Sequence, residues 1–456
     1  MRLICSFLLI AWALAAEPAD WIWTARYVVT MDPQRRILEN GAVAVRGDRI
    51  VAVGARAEIE QRFQARERLD RGDALIAPGL VNTHAHAPMS LFRGVADDLP
   101  LQEWLEKFIF PAEARSVNPE FVRWGTRLAC LEMMLSGTTT YADMYYFEDV
   151  VAEATKEAGL RGVLGETIIG FPVPDAKTPA LALQFTERFL ARFRGDPLIT
   201  AAVAPHALYT NSDESLRASR ALANRYAAPL LIHLAETKHE NDEALAKRGM
   251  RPAQVLEKLG VLDGRTLAAH GVWLDDQDMR ILKAHGTGVA HCPSSNAKLA
   301  SGVAPVTRML ALGLAVGLGT DGPAGSNNDF DLLEEADLAA KLQKVTLGNP
   351  QALPATAALE MLTIGGARAL GMGREIGSIE PGKRADLIVM RLDRPNAVPL
   401  YNVPSQMIYA LKGCDVRDVM VNGRPVVRDG RSLTLDEAAI LARAAEYGRR
   451  VTAAVK

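Results

Sequence analysis

The chain has 456 residues, 49% of them hydrophobic and 6% aromatic, with 52 Lys and Arg against 54 Asp and Glu for a formal net charge of −2. That is globular composition, long enough for one large domain with additions or for two to three domains, and it excludes a disordered chain. No basic cluster interrupts the sequence, which argues against a nucleic-acid groove or a polybasic membrane face.

The N-terminal MRLICSFLLIAWALAAEPAD places one Arg before an apolar run and then small residues. Residues 1–16 read as a secretory signal peptide, with Ala13-Leu14-Ala15 as an A-x-A cleavage signal just before Ala16. The apolar run is short for a membrane span. The expectation is an exported protein, periplasmic or secreted, with no stable membrane association after cleavage. An uncleaved anchor is the alternative, and without a signal the protein would be cytoplasmic. Cys5 lies too early for lipidation at the cleavage point. The other cysteines, Cys130, Cys292 and Cys414, are far apart, form no C-x-x-C, and read as buried thiols.

From residue 22 onward, RYVVTMD, GAVAVRGDRIVAVG and ALIAPG alternate Val and Ile with Gly and Asp-Arg turns. ADLIVMRL and VRDVMVNGRPVVRDG repeat that texture near the C-terminus. Both read as small antiparallel sheets. Residues 17–77 and 373–456 are expected to build one β-sandwich domain together, the second part ending in a helix.

Between residues 78 and 372, short apolar strands alternate with longer helical stretches. The strand candidates are GLVNTH to His84, TTTYAD to Asp143, RGVLGE to Glu166 and ITAAVAPH to His206, then PLLIH to His233, TLAAH to His270, TGVAH to His291 and AVGLGTD to Asp321. Helices are expected over 213–226, 240–259 and 303–312. Eight such units predict an α/β chain with a closed (β/α)8 TIM-type barrel. Each strand ends on a histidine or a carboxylate, and barrel strands open their C-termini onto one face, where active sites sit. Packing alone does not ask for ionisable strand ends.

His84 and His86 stand two apart, so a strand aims both imidazoles to the same side. Alone, His-x-His is more often chance than a metal site; at the end of the first barrel strand it gains weight. His233 alone could be a satisfied polar residue, and Asp321 alone a turn cap. Together the four make a His3Asp set suited to one divalent ion, Zn2+ first, with Fe2+ or Mn2+ as alternatives. Glu236, three residues after His233, can shuttle a proton, although an isolated H-x-x-E is more often a surface helix start. His270 can orient the attacking water, and Asp321 can both ligate and accept a proton. The fourth strand carries His206 and no lysine that could bridge two ions, which favours one ion and leaves His206 for substrate. His239 and His285 read as surface residues. His291 either lies at the mouth or holds the PSSN loop.

GLVNTHAHAPMSLFRGVADDLPLQEWL, APHALYT, IHLAET, AAHGVWL, AHCPSSNAKLASGVAPV, GLGTDGPAGSNN and IGSIEPGKRADLIVM resemble the amidohydrolase superfamily. Within it they resemble the 5-methylthioadenosine/S-adenosylhomocysteine deaminases and their triazine chlorohydrolase relatives. The resemblance implies metal ligands at His84, His86, His233 and Asp321, a catalytic glutamate at Glu236 and a water-orienting His270. It also implies a ribose contact at Glu113, in FPAEARS, and a substrate contact at His206. Family members taking adenosine-type nucleosides often carry an arginine near the end of the third strand. Here that place holds Glu166, expected to repel the homocysteine carboxylate. The expected activity is hydrolytic release of ammonia from an amino-substituted purine nucleoside or similar heterocycle. Removal of chloride or an amine from a triazine-like ring, deamination of a free nucleobase, and a non-catalytic scaffold are the alternatives. A small-molecule substrate is the expected partner, with a homo-oligomer left open.

Overall fold

The computed structural model describes residues 16–455. The signal-peptide reading of residues 1–16 lies, all but Ala16, outside the described residues.

Two β-systems organise the chain. Strands β1 (Glu17–Val29), β2 (Ile37–Arg46), β3 (Arg49–Ala55) and β4 (Phe63–Pro78) come first. The eight barrel strands follow: β5 (Leu80–Ala85), β6 (Thr138–Tyr145), β7 (Arg161–Ile168), β8 (Ile199–Pro205), β9 (Leu230–Leu234), β10 (Thr266–His270), β11 (Gly288–His291) and β12 (Val316–Leu318). The chain then returns through β13 (Leu387–Arg391), β14 (Val416–Val421), β15 (Arg424–Arg428) and β16 (Arg431–Ser432), ending in the helix Glu437–Val455.

β5 to β12 close into a parallel barrel, and both chain ends join in one sheet of order β16-β15-β14-β13-β4-β1-β2-β3. That sheet is mixed: β1 pairs β2 antiparallel but β4 in parallel, which alternation within single strands does not reveal. Its period-two pattern sorts side chains onto two faces. Trp23, Val43 and Val45 enter one core with Leu387 and Val389, while Ile22, Ala42 and Ala44 enter another with Ile59 and Phe63.

The barrel strands are buried on both faces, as parallel strands under helices must be. Val81, Ala142, Val163, Ala202, Leu231, Leu267 and Ala290 fill the interior, while Tyr141, Leu164, Val203, Leu230 and Val289 pack under the helices. Arg161 and Asp386, both buried, pair at 3.2 Å and tie the start of β7 to the segment entering β13.

Two expected helices differ in extent. The stretch 240–259 is two helices, Lys238–Arg248 and Pro252–Lys258, because Gly249 caps the first in a left-handed conformation and Pro252 starts the second. The third expected helix shortens to Val306–Ala311 behind Pro305. Cys130 and Cys292 are buried thiols as expected, but Cys414 is exposed.

Candidate active site

The seam where β12 meets β5 builds the floor of the site. Asn82 donates to Thr320 Oγ1 at 2.8 Å and accepts from the backbone N–H of Thr320 and of His84. The N–H of Asp321 donates to the carbonyl of His84 at 2.9 Å. Gly319 permits this approach, since a Cβ there would meet His84 within 3.0 Å. Ala235, His270 and Asp321 all have left-handed backbones, with φ of 51°, 73° and 62°. For non-glycine residues this is strained, and such strain collects where a side chain must be re-aimed for function. On β10, Leu267 and Ala269 face the barrel interior, so alternation alone would turn His270 outward. Its left-handed backbone accompanies its arrival at the mouth instead.

His84, His86, His233, His270 and Asp321 converge there. Ligand atoms of His84, His233 and His270 lie within 4.8 Å of one another, as do those of His84, His86 and Asp321. Asp321 Oδ1 is 3.5 Å from His84 Nε2 and 3.2 Å from His86 Nε2. The other ring nitrogens are committed: His86 Nδ1 donates to the Met144 carbonyl at 2.7 Å and His233 Nδ1 to the His206 carbonyl at 2.8 Å. Each ring therefore turns Nε2 toward the centre, the orientation metal-ligating histidines take. The donor set fits a divalent cation, and the pKa directions of His84, His233 and Asp321 agree, whereas His86 would give up a proton to the ion. Burial pushes His84 down to about 4 and His233 well below the imidazole range, so both are neutral. Burial also opposes charge on His86, but the hydrogen bond and charge of Asp321 outweigh it and raise that ring to about 9. Burial opposes the charge of Asp321 as well, yet its bonds to His84 and His86 hold it well below the usual carboxylate range.

Glu236 sits beside this centre, its carboxyl 3.8 Å from His270 Nε2. Burial, with the charge of Asp321 adding to it, raises Glu236 to about 8, so it carries a proton at neutral pH. His270 Nδ1 bonds Asn296 Oδ1 at 3.0 Å, which fixes the tautomer that leaves Nε2 as a base. Ser295 donates to Asp321 Oδ2 at 2.6 Å. PSSN, expected as a loop, opens the short helix Pro293–Lys298, and that helix holds both groups able to take a proton from water. His206 Nδ1 bonds Thr210 Oγ1 at 3.0 Å; that hydroxyl donates to Ala207, so Nε2 of His206 is the free acceptor.

A cleft rises from this floor and includes His86, Glu113, His206, His233, Glu236, His270 and Asp321 in its lining. Leu101, Trp104, Leu105, Ile109, Phe110 and Leu299 give it an apolar wall suited to a flat ring. Glu113 is buried on the helix Phe110–Ser116 at the same cleft, 3.3 Å from the Tyr146 hydroxyl, and burial raises it to about 7.

Three sequence-based expectations resolve differently. Glu166 is absent from the cleft: β7 continues to Ile168, and its neighbour Thr167 lines the cleft while Glu166 points away, fully buried. It therefore does not face a substrate carboxylate. His291 is buried on the helix-facing side of β11, off the cleft lining, and neither ring nitrogen has a partner among the described residues. His239 is exposed, whereas His285 is half-buried between Glu257 and Asp263. Ser295, Asn296 and Trp104 carried no signal in the sequence beyond their place in a quoted motif, and Tyr146 stood outside every such motif.

A model described as Amidohydrolase family matches residues 75–426. The chain is 45% identical over 433 residues to a 5-methylthioadenosine/S-adenosylhomocysteine deaminase of Thermodesulfovibrio yellowstonii, covering 94% of this chain and 98% of that one. Among solved structures it resembles an adenosine deaminase from Xanthomonas campestris with bound zinc, at TM-score 0.94 and 41% identity, over 96% of this chain and 100% of that one. It also resembles the atrazine chlorohydrolase of Arthrobacter aurescens complexed with zinc, at TM-score 0.86 and 25% identity, over 94% and 99% of the two chains.

Proposed function

The chain belongs to the amidohydrolase family, and on that premise we propose that it is a metal-dependent hydrolytic deaminase of amino-substituted purine nucleosides, of the adenosine or 5-methylthioadenosine type. One observation carries the reading: four ligand donors, a protonated glutamate and a tautomer-fixed histidine meet at the floor of one apolar cleft, with Glu113 on its wall. His84, His86, His233 and Asp321 would hold a single divalent ion, with zinc the first candidate by the donor set. When bound, that ion lowers the pKa of water toward neutrality.

The protein's own groups divide the remaining work. His270 Nε2 and Asp321 accept the proton of the attacking water and aim its oxygen at the ring carbon bearing the amino group. Glu236 donates its proton to the adjacent ring nitrogen, so the added electron pair comes to rest on a neutral atom. A proton then passes to the amino nitrogen, the C–N bond breaks, and ammonia leaves with the carbonyl formed behind it. Glu113 and the Nε2 acceptor of His206 would receive hydroxyl donors from a ribose, a reading their place on the cleft supports. A triazine ring needs no such contacts, so the nucleoside reading ranks first.

An ammonia-release screen on metal-analysed enzyme tests this, over adenosine, 5-methylthioadenosine, S-adenosylhomocysteine, guanine, cytosine and triazines. Adenine nucleosides should lead in kcat/KM; preference for a triazine or a free base would overturn the nucleoside reading. Export is proposed from the pattern of residues 1–16 alone, and cell fractionation tests it. No helix among the described residues is long and apolar enough to cross a membrane.

A further inference from the structure

Glu166 is an ionisable strand end of the sequence pattern that faces away from the cleft and joins a built polar network. Its Oε2 accepts the backbone N–H of Glu148 at 3.0 Å. Asp175, from the loop after β7, accepts the N–H of Phe147 at 2.7 Å through Oδ2. Glu148 accepts the N–H of Tyr145 at 2.8 Å. Three carboxyls therefore grip one four-residue turn, from the end of β6 into the helix Glu148–Ala158. Phe147 in that turn has φ 55°, a left-handed conformation that a bulky aromatic does not hold unaided.

The second oxygens of Glu166 and Asp175 tell the rest. Glu166 Oε1 and Asp175 Oδ1 are both buried and meet no donor, and the Asp175 carboxyl acts on that of Glu166. A buried carboxyl with an oxygen that meets no donor, beside a second carboxyl, favours its protonated form. Burial first, then the charge of Asp175, keeps that proton on Glu166 well above the usual carboxylate range. Glu148, with its own partner Asp143, the Tyr146 hydroxyl and Glu113 also interact with the pair. The turn so held carries Tyr145 and Tyr146, and Tyr146 donates to Glu113 at 3.3 Å.

We propose that Glu166 and Asp175 are positioning residues for substrate: together they fix the Tyr145–Glu148 turn, and through Tyr146 they hold the Glu113 carboxyl toward the nucleoside's ribose. The inference rests on the proposed nucleoside contact of Glu113. Neither residue touches the reacting atoms, so their influence falls on KM and leaves kcat in place.

The test uses the metal-loaded enzyme with adenosine and with 2′,3′-dideoxyadenosine, which lacks the hydroxyls Glu113 would accept. Glu166→Ala should raise the adenosine KM about tenfold, the worth of one well-aligned hydrogen bond to a charged group, with kcat within about twofold and the dideoxy KM unmoved. Glu166→Gln should restore the adenosine KM, because its amide N–H replaces the proton of the Glu166 carboxyl and its carbonyl still accepts from Glu148. Asp175→Ala and Asp175→Asn, at a half-buried loop position, repeat the contrast should Glu166→Ala fold poorly. Glu113→Ala should raise the adenosine KM and absorb the Glu166→Ala effect in the double variant. The positioning role is overturned if Glu166→Gln is as impaired as Glu166→Ala, if the double variant is additive, or if Glu113→Ala raises KM while the alanine variants at 166 and 175 do not. If Glu113→Ala itself leaves the adenosine KM unchanged, the nucleoside reading of Glu113 fails instead.

Discussion

Replacing Glu236 with Gln changes one proton and almost nothing else. The carboxyl is buried, no donor bonds it among the described residues, and burial raises it to about 8. At pH 7 it is about nine-tenths protonated, so a neutral amide of the same shape replaces a neutral acid. Neither the packing nor the set His84, His86, His233 and Asp321 is altered. What disappears is the proton that meets the ring nitrogen. General acid catalysis of this kind is worth about 100- to 10,000-fold, so kcat should fall by about 1,000-fold, a barrier increase of about 4 kcal/mol. The assay is the absorbance change on adenosine deamination, beside metal analysis and a thermal melt of the same sample. In the wild type the rate should decline at alkaline pH, once Glu236 loses its proton. A folded, metal-replete Glu236→Gln enzyme within tenfold of wild-type kcat would refute the assignment.

Asn296→Ala frees the ring of His270 and should lower kcat about 10- to 100-fold, the usual effect of removing an outer partner. Bound metal, read by elemental analysis, should remain, and loss of metal instead would make Asn296 a determinant of the ligand set. Arg161→Ala leaves Asp386 buried without its cation and should destabilise the fold by about 3 kcal/mol in urea, with kcat unchanged. A loss below about 1 kcal/mol would mean that the sheet is not clamped to the barrel there. In metal-free protein, Tm should fall from pH 6.5 to pH 8. The native state keeps protons on Glu236, Glu240 and Glu335, each raised to about 8 by burial, that the unfolded chain gives up well below pH 6.5. The buried neutral rings of His84 and His206 act in the opposite direction, but only below the ordinary imidazole pKa of about 6.5. A Tm that rises over that window would show those carboxyls to be ionised in the fold.

The sequence made the barrel legible because each strand is short, apolar and closed by an ionisable residue. It brought His84, His86, His233, Glu236, His270 and Asp321 to one mouth through topology alone. Glu166 was misread because strand alternation decides a side chain's face, and β7 runs two residues past it. A carboxylate near a strand end is not thereby at the mouth. The partners of His270 and Asp321 were hidden for another reason: Asn296 and Ser295 each reach across 26 residues of chain, and no local pattern encodes that contact. The same holds for the parallel pairing of β1 with β4, which depends on the path between them. The break at Gly249 and Pro252, by contrast, was written in the residues, since each ends or starts a helix by its own backbone preference.

The central claim is that one water oxygen replaces one amino group on an adenine-type nucleoside, with the metal in place. Turnover of adenosine or 5-methylthioadenosine in 18O-labelled water measures it, with ammonia and product mass read together before and after chelation. The account predicts one 18O in the product for each ammonia released, loss of both on removing the metal, and recovery on adding zinc. Folded, metal-loaded enzyme that releases no ammonia from either nucleoside, or releases it without incorporating 18O, would contradict it.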